Sequence, residues 1–350
     1  MLKIFHSLPA GFVEAEPQEL QALLGGPSLI HLPGRREPAL FASVMLHGNE
    51  PTGLYAVQRL LQDYAGRELP RALSLFVGNV GAAAEGLRRL DGQPDYNRIW
   101  SLAGDLPEQH MVARVVAEMT ERGVFASIDI HNNTGLNPHY ACINRLEPRF
   151  LQLAALFSRT VVYFTRPAGV QSMAFAELCP AVTLECGQPG QAYGIEHAAE
   201  YLAACLNLHE IPDHPLPAHD VSVFHTVAIV KVPEQVSFGF GRREVQLQFI
   251  DDLDHFNFSE MPVGTCFGWQ HDPTARLDCR DEHGNEVGER YFDYGDGQIS
   301  LASAVMPSML TRDERVIRQD CFCYLMERLA LPPHLQQLPP TPVPEREAPA

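Results

Sequence analysis

Two histidines and a carboxylate are the first residues in this chain that invite chemistry. His47 and Glu50 stand in an H-x-x-E spacing, and His131 follows far along the chain. An imidazole and a carboxylate three residues apart on a loop can be aimed at one ion, and a further imidazole completes a three-ligand set. Two His and one carboxylate leave one coordination position open, which is the arrangement of a catalytic zinc rather than a structural one. His47 lies beside Gly48, Asn49, Pro51 and Gly53, and His131 beside Asp129, Asn132 and Asn133. Those neighbours suit strand-to-loop junctions. Spacing alone leaves open the alternative that both histidines are hydrogen-bonded structural residues.

Four ordered segments sharpen the reading: His47-Gly48-Asn49-Glu50, Asp95-Tyr96-Asn97-Arg98, Asp129-Ile130-His131-Asn132 and Glu185-Cys186-Gly187. In order and spacing they resemble the motifs of the succinylglutamate desuccinylase and aspartoacylase family, a branch of the zinc carboxypeptidase-like hydrolases. The resemblance covers about residues 40 to 210. It implies one zinc ion per chain, held by His47, Glu50 and His131, which would polarise the scissile carbonyl and acidify a water. It implies that Glu185 is the general base that takes the water's proton and returns it to the leaving amine. It also implies an arginine that stabilises the developing oxyanion. Arg88 and Arg89 both qualify, and Arg89 is preferred. Asn97 and Arg98 match the family's clamp for a substrate carboxylate, a task suited to a bidentate guanidinium.

Two further points concern the surroundings. Asp129 is close enough in sequence to orient His131, although residues two apart on a strand need not share a hydrogen bond. The family's additional arginine, about ten residues before the glutamate, has no counterpart. That region reads Gln171-Ser172-Met173-Ala174-Phe175, and the nearest arginine is Arg166. This argues against N-acetylaspartate as substrate. Tyr291 or Tyr294 are the candidates to enter the pocket from the C-terminal part.

The elements that must position these groups read as an α/β fold: a mixed central sheet with helices on both faces, plus a smaller strand-rich C-terminal domain. Apolar runs of strand length alternate with helical periods from about residue 38 to 210, the signature of this class. Phe41–Leu46, Leu73–Val77, Val124–Ile130, Val161–Phe164 and Ala181–Leu184 are the expected strands. Helices are expected around Leu54–Leu61, over Gln109–Arg122 and ending Ala198–Leu206, with Gly78–Pro94 as a long functional loop. The Pro- and His-rich stretch Leu208–Asp220 places a boundary, giving a catalytic domain over 1–212, a strand-rich domain over 213–331 and a Pro-rich tail over 332–350. The length of 350 residues agrees with a prior of about 100–200 residues per domain.

Composition bounds the partners. With 26 basic and 43 acidic side chains the formal charge is −17, which repels nucleic acid and anionic membrane surfaces. No secretory leader or apolar span is evident, so the chain is read as soluble and cytoplasmic. The eight cysteines sit in apolar segments and are expected to be buried thiols. The expected partner is a small carboxylate-bearing substrate, with a homo-oligomer left open. The leading expectation is hydrolysis of an N-acyl amino acid in a pocket capped by the C-terminal part. The alternatives are a metallocarboxypeptidase acting on short peptides and a non-catalytic binding module of the same fold.

Overall fold

A computed structural model describes residues 1–100, 104–217, 219–241 and 244–337. In chain order the strands are β1 Lys3–Phe5, β2 Ser28–Leu32, β3 Ala39–Val44, β4 Leu73–Val77, β5 Val124–His131, β6 Tyr140–Ile143, β7 Thr160–Tyr163, β8 Ala181–Glu185, β9 Leu216–Pro217 and β10 Ser222–Lys231. They continue as β11 Phe238–Phe240, β12 Leu247–Phe249, β13 Cys266–Gln270, β14 Asp278–Asp281, β15 Phe292–Asp293, β16 Gln298–Leu301, β17 Met306–Ser308, β18 Cys323–Arg328 and β19 Gln336–Gln337. The helices are α1 Leu20–Leu24, α2 Thr52–Asp63, α3 Val80–Ala84, α4 Pro107–Arg122, α5 Pro148–Ala155, α6 Gln171–Phe175, α7 Ala192–Asn207, α8 Gly288–Tyr291 and α9 Glu314–Gln319.

One 12-stranded mixed sheet, ordered β1-β2-β4-β3-β5-β8-β6-β7-β10-β18-β17 with β14 on β10, forms the backbone of the molecule. Its centre, β4-β3-β5-β8, is parallel. Every residue of β3 and β4 is buried. Continuous apolar runs such as Ala39-Leu40-Phe41-Ala42 are what a strand covered on both faces requires. α2 buries Leu54, Val57, Leu60 and Leu61 on one stripe while Arg59, Gln62 and Asp63 face solvent, the 3.6-residue period of a helix lying on a sheet. Pro107 opens α4 at its first turn, where a missing N–H costs nothing.

The expected fold class is the one observed, and each strand and helix expected between residues 38 and 210 appears with small shifts of its ends. Three features differ. Gly78–Pro94 is not all loop, because α3 lies within it.

The division at 212 is not a break in the sheet. β10 pairs parallel with β7 through Ser222↔Thr160 to His225↔Tyr163, and β18 and β17 follow. The five-stranded sheet β11-β12-β13-β16-β15 is separate in its pairing but packs against β10, β14 and β18 of the large sheet through a common core that includes Val230, Cys279 and Leu325. A single Pro-rich stretch signals a turn in the chain and says nothing about which edge the next strand joins.

Residues 332–337 of the expected tail are packed on the fold. Leu335 is buried against the main core, and β19 pairs parallel with β9. Residues 338–350 of that expected tail lie outside the described residues. No helix among the described residues is long and apolar enough to cross a membrane. All eight cysteines are free, and seven are buried.

Candidate metal and active site

The carboxyl ends of β3, β5 and β8 meet at one edge of the parallel centre, where open α/β sheets place their ligands. β5 delivers His131 and β8 delivers Glu185 as register partners. His47 and Glu50 follow β3 on a sharp turn, in which Met45 takes a left-handed backbone with φ 58°. Such a conformation is uncommon for a residue with a side chain, and it re-aims the chain toward the neighbouring strand. Gly48 allows the turn to lie on α3: a Cβ there would stand 2.3 Å from Ala83 N and 2.4 Å from Ala82 C. The Gly48 N–H donates to Arg88 O at 3.1 Å, tying the same turn to the arginine loop.

His47, Glu50 and His131 converge, with one ligand atom from each within 4.8 Å of the others, and all three are buried. His47 Nδ1 lies 2.8 Å from Glu50 Oε1, and His131 Nδ1 lies 2.8 Å from Glu50 Oε2. On the far side of each ring a second carboxylate is in place. His47 Nε2 is 3.1 Å from Asp95 Oδ1, and His131 Nε2 is 2.8 Å from Asp129 Oδ2. Asp129 is itself held by Ser43 Oγ at 2.6 Å. A ring that donates through Nε2 to a carboxylate presents the lone pair of Nδ1. Two such lone pairs facing one carboxylate would suit a cation between them.

His47 Nδ1 in fact makes no hydrogen bond despite full burial. An orphaned buried nitrogen beside a carboxylate oxygen fits a bound divalent ion and fits a structural histidine poorly. Burial alone would raise the Glu50 carboxyl, but the two histidines outweigh it and hold it well below the usual carboxylate range. It therefore remains ionised, as a metal ligand must be.

Glu185 is buried, and Asn133 Nδ2 donates to its Oε2 at 3.1 Å. Burial pushes its carboxyl up to about 7, with His131 pulling in the other direction. A carboxyl group near neutrality can both take and return a proton.

The arginines depart from expectation. Arg88, not Arg89, faces the site: its Nη1 donates to Glu50 Oε1 at 3.1 Å and its Nη2 reaches Asp95 Oδ2 at 3.3 Å. Arg89 turns away and donates to Gln93 O at 2.7 Å. In the non-helical turn after Gly86, which has φ 64°, successive side chains point to opposite sides, so the choice between two adjacent arginines depended on a register that spacing did not reveal.

Asn97 and Arg98 reach the site but are already engaged. Asn97 Oδ1 accepts from Gln171 N at 2.9 Å, and its Nδ2 lies 3.2 Å from His131 Nε2. Arg98 donates to Asp320 Oδ1 at 2.8 Å, and the other oxygen of that carboxylate takes Arg88 Nη2 at 3.1 Å. Arg98 is seated by Gly169, whose absent Cβ would lie 2.3 Å from Arg98 O.

Asp320 was not singled out from the sequence. It follows α9 as one acid among 43 acidic side chains, and no motif marks it. Tyr291 and Tyr294 do not enter the cleft; their hydroxyls meet Glu327 and Leu277 N. Thr226, Ser308, Met309, Asp320 and Tyr324 enter from the C-terminal segment instead. They complete a cleft of about 660 Å³, open mouth included, with Tyr140, Cys142, Val162 and Phe164 as its apolar wall.

Fold and site together define an α/β protein with a His-Glu-His centre at the carboxyl edge of a parallel sheet, under a wall supplied by a strand-rich extension. Residues 37–209 match the succinylglutamate desuccinylase/aspartoacylase catalytic domain, the family whose motifs the four sequence segments resemble. Among solved structures it resembles the succinylglutamate desuccinylase of Chromobacterium violaceum at TM-score 0.56 and 18% identity, over 85% of this chain and 87% of that one. It resembles murine aminoacylase 3 at 0.52 and 16%, over 84% and 97%. A product-bound ectoine utilization protein from Ruegeria pomeroyi aligns at 0.52 and 14%, over 86% and 88%. At these identities the likeness is one of fold. No curated protein matches the chain by sequence.

Proposed function

We propose that this chain is a zinc-dependent amidohydrolase that cleaves the amide bond of a small N-acyl amino acid or a derivative of one. The observation that carries the reading is the pair of Nδ1 atoms, each 2.8 Å from an oxygen of Glu50, backed by Asp95 and Asp129. His47, Glu50 and His131 would hold the ion. When bound it supplies a Lewis acid for the scissile carbonyl and a water acidified to about pKa 7.

The chain's own groups do the rest. Glu185 takes the proton of the attacking water on its carboxylate and passes it to the leaving nitrogen. Arg88 places a guanidinium beside Glu50, where negative charge develops on the carbonyl oxygen. Asn133 holds Glu185 in place through one oxygen and leaves the other free to work.

The cleft is walled by residues from both halves of the chain, which favours a small substrate over an extended peptide. It also favours a small molecule over nucleic acid, in keeping with the charge of −17.

The test is acyl release from a panel of N-acyl amino acids and dipeptides by zinc-loaded and chelated protein. Activity should vanish with the metal and return on its replacement. Glu185→Gln should lower kcat by about 10²–10⁴-fold while metal content stays stoichiometric. Full activity of the chelated protein would exclude the mechanism, and preferential cleavage of dipeptides would favour the peptidase reading.

A further inference from the structure

The cleft contains a carboxylate of its own where a substrate carboxylate would be expected to bind. Asp320 Oδ1 is 2.8 Å from Arg98 Nη2 and Oδ2 is 3.1 Å from Arg88 Nη2, so a single carboxylate spans both guanidinium groups. The remaining contacts of those groups are also internal. Arg98 Nη1 donates to Asn97 O at 2.8 Å, and Arg88 Nη1 donates to Glu50. Asn97 Oδ1 accepts from Gln171 N, and its Nδ2 is turned toward the His131 ring.

The local charges are two arginines against Glu50, Asp95 and Asp320, so an incoming carboxylate would meet guanidinium groups already bridged by Asp320 and a like charge at close range. Like charges at that distance in a buried site repel strongly.

Asp320 is not on a free loop. Its N–H bonds to Val316 O at 2.9 Å, and the N–H of Phe322 bonds to Val230 O at 2.8 Å, which pins the turn to β10. Arg318 anchors the same turn on the carbonyls of Val232 and Pro233. Around the ion pairs the cleft wall is neutral at Tyr140, Val162, Phe164, Thr226, Ser308 and Met309, and it carries one further cation, the exposed Arg166, which donates to Glu282 O at 3.2 Å.

We propose that Asp320 is a specificity residue that fills the Arg88–Arg98 clamp, so that the site selects N-acyl compounds whose leaving amine carries no free carboxylate there, such as amino-acid amides. This rests on the amidohydrolase reading for the chemistry but not for the binding preference. A substrate of this class would lay its apolar side chain on the Val162–Phe164 wall and its carboxamide among the hydroxyls of Thr226 and Ser308.

The experiment is calorimetric titration of the zinc-loaded chain with two leaving-group probes that cannot turn over, L-leucinamide and L-leucine. The wild-type protein should bind the amide at least tenfold more tightly. Asp320→Asn should shift the ratio at least tenfold toward L-leucine, and Arg98→Gln with Asp320→Asn should lose that gain, because the freed cation is gone. Equal or tighter binding of L-leucine by the wild-type protein overturns the inference. So does a folded Asp320→Asn protein with an unshifted ratio, including one where neither probe binds, and so does a gain that survives in the double variant.

If Asp320→Asn does not fold, the wild-type ratio decides alone. Turnover of N-acetyl-L-leucinamide is measured separately. Its absence, with the binding pattern intact, removes the hydrolase reading and leaves the role of Asp320 standing.

Discussion

His131 holds its place because Asp129 accepts from one side of the ring while Glu50 meets the other. Partners of this kind raise ligand basicity and fix ring orientation, and losing one costs about 10–100-fold in metal affinity. Asp129→Asn should therefore weaken zinc binding by that factor in a chelator competition, with the fold intact by circular dichroism. An unchanged affinity would mean that Ser43 and the strand alone orient the ring.

The His47-Glu50-His131 cluster was legible in the sequence because four ordered motifs resemble those of a known family; the local spacing of His47 and Glu50 alone would not have reached the distant His131. Arg88 over Arg89 was not, since the two are adjacent and only the turn decides between them. Asp320 lay beyond reach for a different reason. It meets Arg98 across 222 positions of chain, and a lone acid carries no spacing to read.

At the scale of elements, the turn between β3 and α2 is the part on which the site most depends. Its approach to α3 has no room for a side chain at Gly48. The obstructing atoms are backbone, so Gly48→Ala must displace one of the two elements, at a cost of about 1–3 kcal/mol. Zinc stoichiometry should fall while secondary structure is retained.

A second prediction concerns β2 and α4. Burial lowers His31 to about 4, helped by Arg122 and opposed by Glu118, and its Nδ1 lies 2.8 Å from Ser74 Oγ. The unfolded chain binds a proton there near pH 6.5, whereas the folded chain does so only near 4. Stability is therefore lost as pH falls between those values, by about 3 kcal/mol at most. His31→Gln should flatten the pH dependence of denaturant melts across that window, and an unaltered slope would refute the assignment.

The central strands were readable because they are buried on both faces and so run apolar without interruption. β1 and β6 were not expected: β1 is three residues long, too short for a periodic signal, and β6 mixes Tyr140 and Cys142 with Ala141 and Ile143 and lacks the β-branched run that marks β7.

At the scale of the whole molecule, the catalytic sheet does not end where the family domain ends. A chain cut after residue 212 would lose β10, β18 and β17 and strip β7 of its neighbour. It would also uncover Tyr140, Cys142 and Val162, which pack on Phe224, Met306 and Met326. An exposed apolar edge of this kind templates aggregation. The fragment 1–212 should be insoluble or unfolded, as sedimentation and circular dichroism would reveal, whereas a soluble folded fragment would show that the extension is dispensable.

The long strand β10 carries a consequence for how ligands come and go. Its first half is laddered to β7, and its second half, past an irregularity between Thr226 and Ala228, is laddered to β14. Jaw-like separation of the two halves would tear that ladder. Any widening of the cleft therefore falls to the loops and side chains that line it, such as Arg166, Pro167 and Met309, and not to a hinge within β10.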